Sequence, residues 1–532
     1  MKLTFLGADH EVTGSCHYLE VGDKKMTVDY GMEQGINVFE NAPLPVPEMQ
    51  LDYVFLTHAH VDHTGMLPKL CARGFNGRIY ATKATCDLCS IMLRDCAHIQ
   101  MQEAEWRNRK NRRAGGGAPV VPVYTMQDAD SAIRLLTPCE YGEIIEVSDN
   151  IKIRFTDVGH LLGSASIEMW LTEDGVTKKI VFSGDIGNFR QPLLRDPQKT
   201  AEADYVVMES TYGDRLHPAE KIDFAGELAK IIKETLGNGG NVVIPSFAIG
   251  RTQEILYFIR QIKQENMLPE LKNFPVYVDS PLAVEATEIF NRNEESCFDE
   301  EALKLVNQGI NPLRFPGLHL AITGEESKMI NFDKEPKVII SASGMCDAGR
   351  IRHHLKHNLW REENTILFVG YQSAGTLGRV LIEGTDEVKL FGETITVRAK
   401  IMQLKGLSGH ADQAGLIDWV SGFEKKPRRV FVVHGEDGVC TSFAGLLHHE
   451  YGFTTYAPYS GTEFDLLHDK LLYEASPIPV QKKVFLVSSV YERLVAAGKR
   501  LMAVIEGNQG GTNKDLAKFA DQINALCDKW VR

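Results

Sequence analysis

The sequence lacks any apolar run long enough to cross a membrane, and it has few cysteines for its length. No stretch approaches the roughly 18 to 20 apolar residues that a membrane-spanning helix requires. The amino-terminal stretch MKLTFLGADHEVTG has a short apolar run interrupted by Gly7 and Asp9, which predicts a first strand rather than a secretory signal. Ten cysteines spread over 532 residues fit reduced thiols rather than a disulfide framework. We therefore expect a cytoplasmic protein without a membrane segment.

Basic residues are scarcer than acidic ones. The chain has 58 lysines and arginines against 71 aspartates and glutamates, a formal net charge of −13. This balance argues against a protein that coats nucleic acid through its whole surface, so any polyanion must be met locally. Two basic clusters are available, WRNRKNRR at 106–113 and KKPRR at 425–429. Solvated surface explains such runs about as well as a binding role does.

Several common motifs are also missing. The chain has one CxxC, at Cys86 and Cys89, and no second CxxC that would complete a zinc ribbon. It has no phosphate-binding GxxxxGK[ST] and no internal repeat. The HHxxH pattern at His353, His354 and His357 lacks a nearby carboxylate ligand in the sequence, and we interpret it as helix surface.

Strand-like runs alternate with helical patterns along most of the chain, which indicates an α/β protein with helix-covered sheets. A chain of 532 residues is too long to fold around a single hydrophobic core, so its length predicts two or three domains. From about residue 210 the runs NVVIPS, PVYVDS, KVIISAS and TILFVG each lead toward a helix, as in doubly wound parallel sheets. The final residues carry apolar positions at helical spacing around the loop NQGGTN, which predicts a helical hairpin.

The stretch THAHVDHTG places four metal-type ligands within six residues, directly after the apolar run YVFLT. Imidazole and carboxylate ligands suit Zn²⁺, and ligands on a loop just past a strand can converge on one side. His58 and His60 could hold one ion, while Asp62 and His63, at a tight turn, could hold its neighbour. Histidines that merely cap a strand end would require four ligand-type residues to be grouped by accident.

Three further ligand-type residues follow strand-like runs. They are His160 in TDVGHLLGSAS, Asp185 in VFSGDIG and His434 in VFVVHGE. Each residue alone is weak evidence for a metal site, because a single histidine near a strand end more often has a structural role. Together with the first stretch they supply the additional ligands that two neighbouring metal ions require.

These motifs resemble those of the metallo-β-lactamase-fold hydrolases, whose signature is HxHxDH, a later histidine and a bridging aspartate. MESTYGDR with Glu209, LSGHADQ with His410 and VVHGE with His434 resemble three additional motifs of the β-CASP branch, which processes nucleic acids. That branch includes ribonuclease J and the cleavage subunit of messenger-RNA 3′-end processing. The resemblance runs from residue 1 to about 460.

The fold that this resemblance implies is an αββα metallo-β-lactamase fold with an inserted α/β domain. Its expected segments are 1–209 for the first part of the metallo-β-lactamase domain, 210–395 for the β-CASP domain, 396–465 for the second part and 466–532 for a C-terminal helical extension.

The resemblance also implies a set of metal ligands. His58, His60 and His160 would hold a first zinc ion, Asp62, His63 and His434 would hold a second, and Asp185 would bridge the two. A water shared by two Zn²⁺ ions would supply the attacking hydroxide, which makes Asp62 and Asp185 part of the catalytic centre. In-line attack on a phosphodiester would leave 5′-phosphate and 3′-hydroxyl ends.

Three other residues gain expected roles in the same way. His410 would donate a proton to the leaving ribose 3′-oxygen. Glu209 would orient and charge that imidazole, since a carboxylate beside a histidine raises its pKa. Asp29 in MTVDYGMEQG resembles an aspartate that fixes the orientation of a metal ligand.

Substrate contacts are predicted on two turns rich in small residues, SASGMCDAGR at 341–350 and GYQSAGTLGR at 370–379. Exposed backbone amides at such turns bind phosphate well, although tight packing against neighbouring loops explains the small residues about as well. The residues predicted to line an RNA path are Ser343, Arg350, Ser373 and Thr376.

The sequence thus predicts a zinc-dependent ribonuclease of the β-CASP type that acts on single-stranded RNA. The alternatives are a DNA-acting or small-molecule hydrolase on the same fold, and an RNA-binding subunit that has lost catalysis. A small-molecule hydrolase leaves Glu209, His410 and the large insertion unexplained, and an inactive subunit is expected to lack ligands that are present here. The apolar faces of the C-terminal hairpin must be buried, and we expect them to cover the metal domain or to join two chains as a homodimer.

Overall fold

The computed structural model describes residues 1–35, 37–113, 118–218, 222–373, 375–404, 406–480 and 490–530. The chain divides into two compact units, Met1–Ile478 and Pro479–Arg532. Over the residues so described, no helix is both long and apolar enough to cross a membrane.

The first part of the larger unit is rich in strands. They are β1 (Lys2–Gly7), β2 (Cys16–Val21), β3 (Lys24–Val28), β4 (Tyr53–Phe55), β5 (Arg78–Thr82), β6 (Leu136–Cys139), β7 (Ile145–Ser148), β8 (Ile151–Asp157), β9 (Ala165–Glu173), β10 (Val176–Phe182) and β11 (Tyr205–Met208). The helices between them are α1 (Val61–Thr64), α2 (Leu67–Ala72), α3 (Lys83–Arg113) and α4 (Met126–Arg134).

The middle part alternates helices and strands. Its helices are α5 (Phe224–Gly237), α6 (Arg251–Gln264), α7 (Pro281–Arg292), α8 (Glu294–Cys297), α9 (Glu300–Asn307), α10 (Gly324–Phe332), α11 (Ile351–Asn358) and α12 (Leu377–Glu383). Its strands are β12 (Val242–Pro245), β13 (Val276–Val278), β14 (Leu318–Leu320), β15 (Val338–Ser341), β16 (Thr365–Phe368), β17 (Glu387–Leu390), β18 (Glu393–Thr396) and β19 (Lys400–Gln403).

The last part completes the larger unit and adds the smaller one. The elements of the larger unit are α13 (Gln413–Val420), β20 (Arg429–Val432), α14 (Asp437–His449), β21 (Thr455–Tyr456), β22 (Glu463–Asp465) and β23 (Lys470–Tyr473). The smaller unit contains α15 (Val490–Gly507) and α16 (Asn513–Trp530), the two helices predicted from the apolar spacing.

Two sheets face each other and form the αββα sandwich that the resemblance implied. The first sheet has the strand order β23-β22-β1-β2-β3-β4-β5-β6, and the second has the order β21-β20-β11-β10-β9-β8-β7. Alternate side chains of both sheets, such as Phe5, Phe155 and Phe431, meet in one buried apolar core between them. On its other face the second sheet packs Val206 and Val430 against α13 and α14.

The middle part forms the predicted doubly wound sheet. Six parallel strands have the order β14-β13-β15-β12-β16-β19, with β12 near the centre. The strands VVIP, VIIS and TILF are buried throughout because helices cover both faces of the sheet. β17 and β18 form a separate antiparallel hairpin.

Two of the predicted domain limits differ from the sheet pairing. β19 lies just past the predicted limit at 395, yet it pairs with β16 in the inserted sheet, so sheet membership extends that segment to Gln403. β23 lies beyond the predicted limit at 465, yet it pairs with β22 in the first sheet, and the chain divides only at Ile478. Both differences arise because the pairing partner of a short strand depends on distant residues.

Candidate metal centre

Most of the sequence-predicted site residues lie at the carboxyl ends of strands that share one edge of the sandwich. β10, β11 and β20 run parallel and adjacent in the second sheet, so the residues after them are neighbours. Asp185, Glu209 and His434 occupy those positions. His58 and His60 follow β4 of the facing sheet. Strands distant in the sequence thereby bring their terminal side chains to one place.

The side chains form two overlapping groups of ligand atoms. His58, His60, His160 and Asp185 offer nitrogen and oxygen atoms that all lie within 4.8 Å of one another. Asp62, His63 and His434 form a second group by the same measure. Within the groups the ring nitrogens face each other at short distances, 3.0 Å for His58 Nε2 to His60 Nδ1 and 3.1 Å for His63 Nε2 to His434 Nε2.

Asp185 lies between the two groups and presents one oxygen to each. Its Oδ2 is 3.5 Å from the Nε2 atoms of both His58 and His160. Its Oδ1 is 3.3 Å from His63 Nε2 and 3.5 Å from His434 Nε2. Asp185 Oδ1 is buried and has no hydrogen-bond partner among the described residues, which is unusual for a buried carboxylate oxygen. These side chains fit a pair of cations that share Asp185.

The outer nitrogens of the histidines are held by neighbouring groups, which leaves the inner nitrogens facing the centre. His63 Nδ1 donates to Asp29 Oδ2 at 2.7 Å, and His160 Nδ1 donates to the Gly409 carbonyl at 3.0 Å. Thr211 Oγ1 lies 3.1 Å from His434 Nδ1. Such outer contacts fix the ring orientation and tautomer of metal-binding histidines. The Thr211 and Gly409 contacts are not apparent from the sequence, because neither residue type marks a metal site.

Asp29 is held firmly in this supporting position. Its Oδ1 accepts a hydrogen bond from the Thr57 backbone amide at 2.8 Å, and its Oδ2 accepts one from the Thr57 hydroxyl at 2.9 Å. Both Asp29 and His434 have left-handed backbone conformations, with φ of 58° and 48°. Such conformations are uncommon outside glycine and concentrate at functional sites. Gly31 is required nearby, since a side chain there would overlap the Asp62 carbonyl of α1.

Burial and charge set the protonation of the ligand-type residues. Burial lowers the pKa of His58, His60 and His160, which favours the neutral form that binds metal. Burial opposes ionisation of Asp62, but the surrounding histidines outweigh it and lower its pKa to about 2. Burial opposes the charged form of His63 and His434, but Asp185 outweighs it and raises the pKa of both, so these two rings hold a proton that a bound cation would displace. Imidazole and carboxylate groups are the donor types that suit Zn²⁺.

Glu209 and His410 form a pair beside this centre. His410 Nδ1 lies 3.2 Å from Glu209 Oε2, and His410 Nε2 lies 4.0 Å from Asp185 Oδ2. The Glu209 side chain is 1% exposed, whereas that of His410 is 22% exposed. Burial opposes the charged imidazole, but Glu209 outweighs it and raises the pKa of His410 to about 9. Asp185, Glu209 and His410 also form a third group with metal-ligand spacing.

The four predicted RNA-contact residues lie on the loops after β15 and β16, and three of their side chains already have structural partners. Arg350 is paired with buried Asp279 at 2.6 Å and donates to the Ala321 carbonyl. The Thr376 hydroxyl accepts from the Arg379 amide and caps α12. Ser343 Oγ donates to the Ala348 carbonyl at 3.2 Å, and the Ser373 carbonyl accepts from the Thr376 hydroxyl.

The interpretation of the HHxxH histidines as helix surface is wrong for one of the three. His353 and His357 are exposed on α11, but His354 is fully buried. Its Nε2 donates to Asp279 Oδ2 at 2.6 Å, and its Nδ1 lies 2.9 Å from Asn331 Oδ1. The carboxylate that seemed to be missing comes from a distant strand end, which the local sequence does not reveal.

Three segments of the chain match known families. Residues 11–96 match the metallo-beta-lactamase superfamily, residues 252–381 match the Beta-Casp domain, and residues 394–458 match the Zn-dependent metallo-hydrolase RNA specificity domain. The match over 11–96 contains the THAHVDHTG stretch, and the match over 394–458 contains His410 and His434.

Curated relatives cover most of the larger unit. Ribonuclease TTHA0252 of Thermus thermophilus is 38% identical over 448 residues, which are 84% of this chain and 96% of the relative. Transcription termination factor FttA of Methanocaldococcus jannaschii is 32% identical over 471 residues, which are 86% of this chain and 70% of that protein. FttA of Pyrococcus abyssi is 30% identical over 478 residues with the same coverage.

Proposed function

Because the chain belongs to the β-CASP branch of the metallo-β-lactamase superfamily and is a metal-dependent hydrolase acting on RNA, we propose that it cuts single-stranded RNA with two zinc ions and leaves 5′-phosphate and 3′-hydroxyl ends. The observation that carries the two-ion proposal is the position of Asp185, whose two oxygens face separate histidine groups. An RNA substrate is favoured over DNA by the RNA specificity match and the ribonuclease relative.

The ligands divide between two ions in this proposal. His58, His60 and His160 would hold one ion, Asp62, His63 and His434 would hold the other, and Asp185 would contribute to both. Two zinc ions at such a site supply a water of lowered pKa and positive charge beside the phosphate oxygens. Asp29 keeps His63 Nε2 aimed at the centre by accepting a hydrogen bond from the opposite ring nitrogen, Nδ1.

The chain itself supplies the proton for the leaving group. In this proposal a water oxygen bonds to phosphorus and releases a proton to solvent, the bond from phosphorus to the ribose 3′-oxygen breaks, and that oxygen takes a proton from His410 Nε2. His410 then regains a proton from solvent. Glu209 holds the opposite ring nitrogen at 3.2 Å and keeps the imidazole charged. His410 is suited to this position because its side chain is the more exposed member of the pair.

The basic segment at the end of α3 is proposed to bring RNA to this acidic protein. Five exposed cations lie on the last two turns of the helix, namely Arg107, Arg109, Lys110, Arg112 and Arg113. Trp106 is 56% exposed beside them, and Lys110 Nζ lies 5.3 Å from the centre of its ring. Cations interspersed with an aromatic side chain form the kind of surface that holds single-stranded nucleic acid.

The C-terminal helices are proposed to join two copies of the chain. Leu494, Met502 and Leu526 on these helices are each more than half exposed. The groove between α15 and α16, about 240 Å³, is lined mainly by apolar side chains that include Phe519 and Ile523. Two helices of this length bury too little apolar surface alone, whereas two such hairpins can form a four-helix bundle.

Cleavage of labelled RNA tests the proposed reaction. The purified protein is incubated with 5′-labelled and internally labelled single-stranded RNA, with matched DNA as the control, before and after chelation and zinc addition. We expect cleavage of RNA that disappears with chelator, returns with zinc, and yields ends that a 5′-phosphate-dependent exonuclease degrades. Cleavage that survives complete zinc removal, or products with 5′-hydroxyl ends, would contradict the proposal.

A further inference from the structure

An exposed aromatic side chain lies on the loop after β12, near the centre of the inserted sheet. Phe247 is 44% exposed, although phenylalanine is usually buried. Its backbone is held in place, because its carbonyl accepts from the Thr252 hydroxyl at 2.7 Å and from the Ser246 hydroxyl at 3.2 Å. The side chain is therefore presented from a fixed backbone rather than from a loose loop.

Two glycines on the neighbouring loops lie against this ring, and Gly344 is the one that leaves space for it. A side-chain carbon at Gly344, after β15, would lie 3.2 Å from the Phe247 ring, and one at Gly370, after β16, would lie 3.8 Å from it. Gln372 ties these two loops together by donating to the carbonyls of Gly344 and Tyr371, both at 3.0 Å. The carboxyl edge of this parallel sheet, where such sheets bind ligands, thus carries a rigid platform.

A second exposed aromatic residue belongs to the same platform. Tyr371 directly follows Gly370 and is 58% exposed. Two large rings held near the same sheet edge form a surface on which planar groups can stack. Gly344, one of the small residues that the sequence presents at these turns, therefore leaves space for the Phe247 ring.

This platform lies on the side of the inserted sheet that meets the metal centre. A side-chain carbon at Gly250, on the Phe247 loop, would lie 3.1 Å from Leu161 Cδ1. Leu161 directly follows His160, whose ring contributes to the first ligand group. An RNA strand bound at the metal centre would therefore pass within reach of the loop that carries Phe247.

We propose that Phe247 and Tyr371 stack against bases of the RNA next to the cleaved bond and thereby hold the strand in the centre without reading its sequence. The inference rests on the proposed function and adds the contacts that hold the substrate. Every base has an aromatic face, so stacking accepts any sequence, and losing one such contact weakens binding by about 5- to 150-fold.

Single-turnover cleavage of RNAs that carry one abasic nucleotide, moved stepwise along the strand, tests this proposal. Phe247→Ala and Tyr371→Ala should raise the RNA concentration for half-maximal rate by about 5- to 150-fold, with little change in the maximal rate. Phe247→Trp should restore binding. Phe332→Ala is the matched control, because Phe332 is 67% exposed on α10 of the same inserted segment.

The abasic series separates stacking from a general loss of structure. At one position, RNA without the base should bind the parent protein more weakly than intact RNA does. The same RNA should bind Phe247→Ala as well as intact RNA does, because the ring and the base act together. Equal losses in parent and variant at every position, or parental binding by both alanine variants, would overturn the proposal. Binding of the same RNAs is also measured by fluorescence anisotropy, so a protein that binds RNA through these rings without cutting it refutes the proposed function alone. Failure to bind RNA at all refutes both.

Discussion

The pair formed by Glu209 and His410 allows proton donation to be separated from metal binding. We expect His410→Ala to keep two zinc ions per chain and to slow single-turnover cleavage by about 10²- to 10⁴-fold, the usual contribution of a positioned acid. That range corresponds to roughly 3 to 5 kcal/mol of transition-state stabilisation. His434→Ala should differ, because His434 Nε2 faces Asp185 Oδ1 at 3.5 Å and the substitution would remove one of the proposed metal ligands.

Glu209→Gln keeps the shape of the pair and removes its charge. Glu209 raises the pKa of His410 to about 9, so the imidazole is charged at pH 7 and loses its proton as pH rises through that value. Without the carboxylate the pKa of His410 falls. The decline of cleavage rate on the alkaline side should therefore move to lower pH in Glu209→Gln. The double variant should be little slower than either single variant, because the two residues act as a unit.

Zinc content, measured together with single-turnover rates, distinguishes proton donation by His410 from the rival role of metal binding by His410 and Glu209. Asp185, Glu209 and His410 themselves have metal-ligand spacing, so the rival places a cation between them. Loss of zinc from both His410→Ala and Glu209→Gln would support that rival and refute the acid assignment. Cleavage at the parental rate by His410→Ala would refute it as well. Ala substitution at exposed His357 serves as the control, since this histidine lies on α11.

Three further outcomes are expected. Protein never exposed to chelator should contain close to two zinc ions per chain by elemental analysis, and one ion or none would contradict this. Asp185→Asn should lower that number, because the amide keeps only one of the two oxygens that face the separate groups and carries no charge. Replacing the five cations of 106–113 by serine should weaken RNA binding and reduce the slope of log affinity against log salt by up to about 3.5, and an unchanged slope would assign the cluster to solvated surface. Deleting residues 479–532 should lower the mass measured by light scattering from two chains to one, and a full-length protein that is already monomeric would end the dimer proposal.

The fold and the convergence of the candidate ligands were predictable to the extent that their sequence signals were local. The ligands of THAHVDHTG stand together in the sequence, and His160, Asp185 and His434 each follow a strand, so their convergence follows from the strand edge they share. The limit of the inserted segment was not predictable in this way. The pattern of apolar residues in β19 would suit a strand of the metal domain equally well. Only its pairing with β16 assigns it to the inserted sheet.

Supporting residues lay beyond prediction for a related reason. Thr211 acts through contact with His434, and the Gly409 carbonyl acts through contact with His160. Neither residue has a chemistry that marks it out in a sequence. Buried His354 was misassigned because its partner, Asp279, lies on another strand end. Phe247 resembles any other apolar residue until its exposure is known.

The order in which the centre is assembled has a consequence for protein synthesis. β11 and β20 are adjacent in the second sheet, yet the whole inserted segment separates them along the chain. A nascent chain that carries His58 and Asp185 therefore still lacks His410, His434 and the strand that positions His434. Pairing between such distant segments is also slow, because the two ends of a long intervening chain must first come together. The complete set of candidate ligands therefore comes together only after β20 has been synthesised, and any shorter nascent chain holds an incomplete centre.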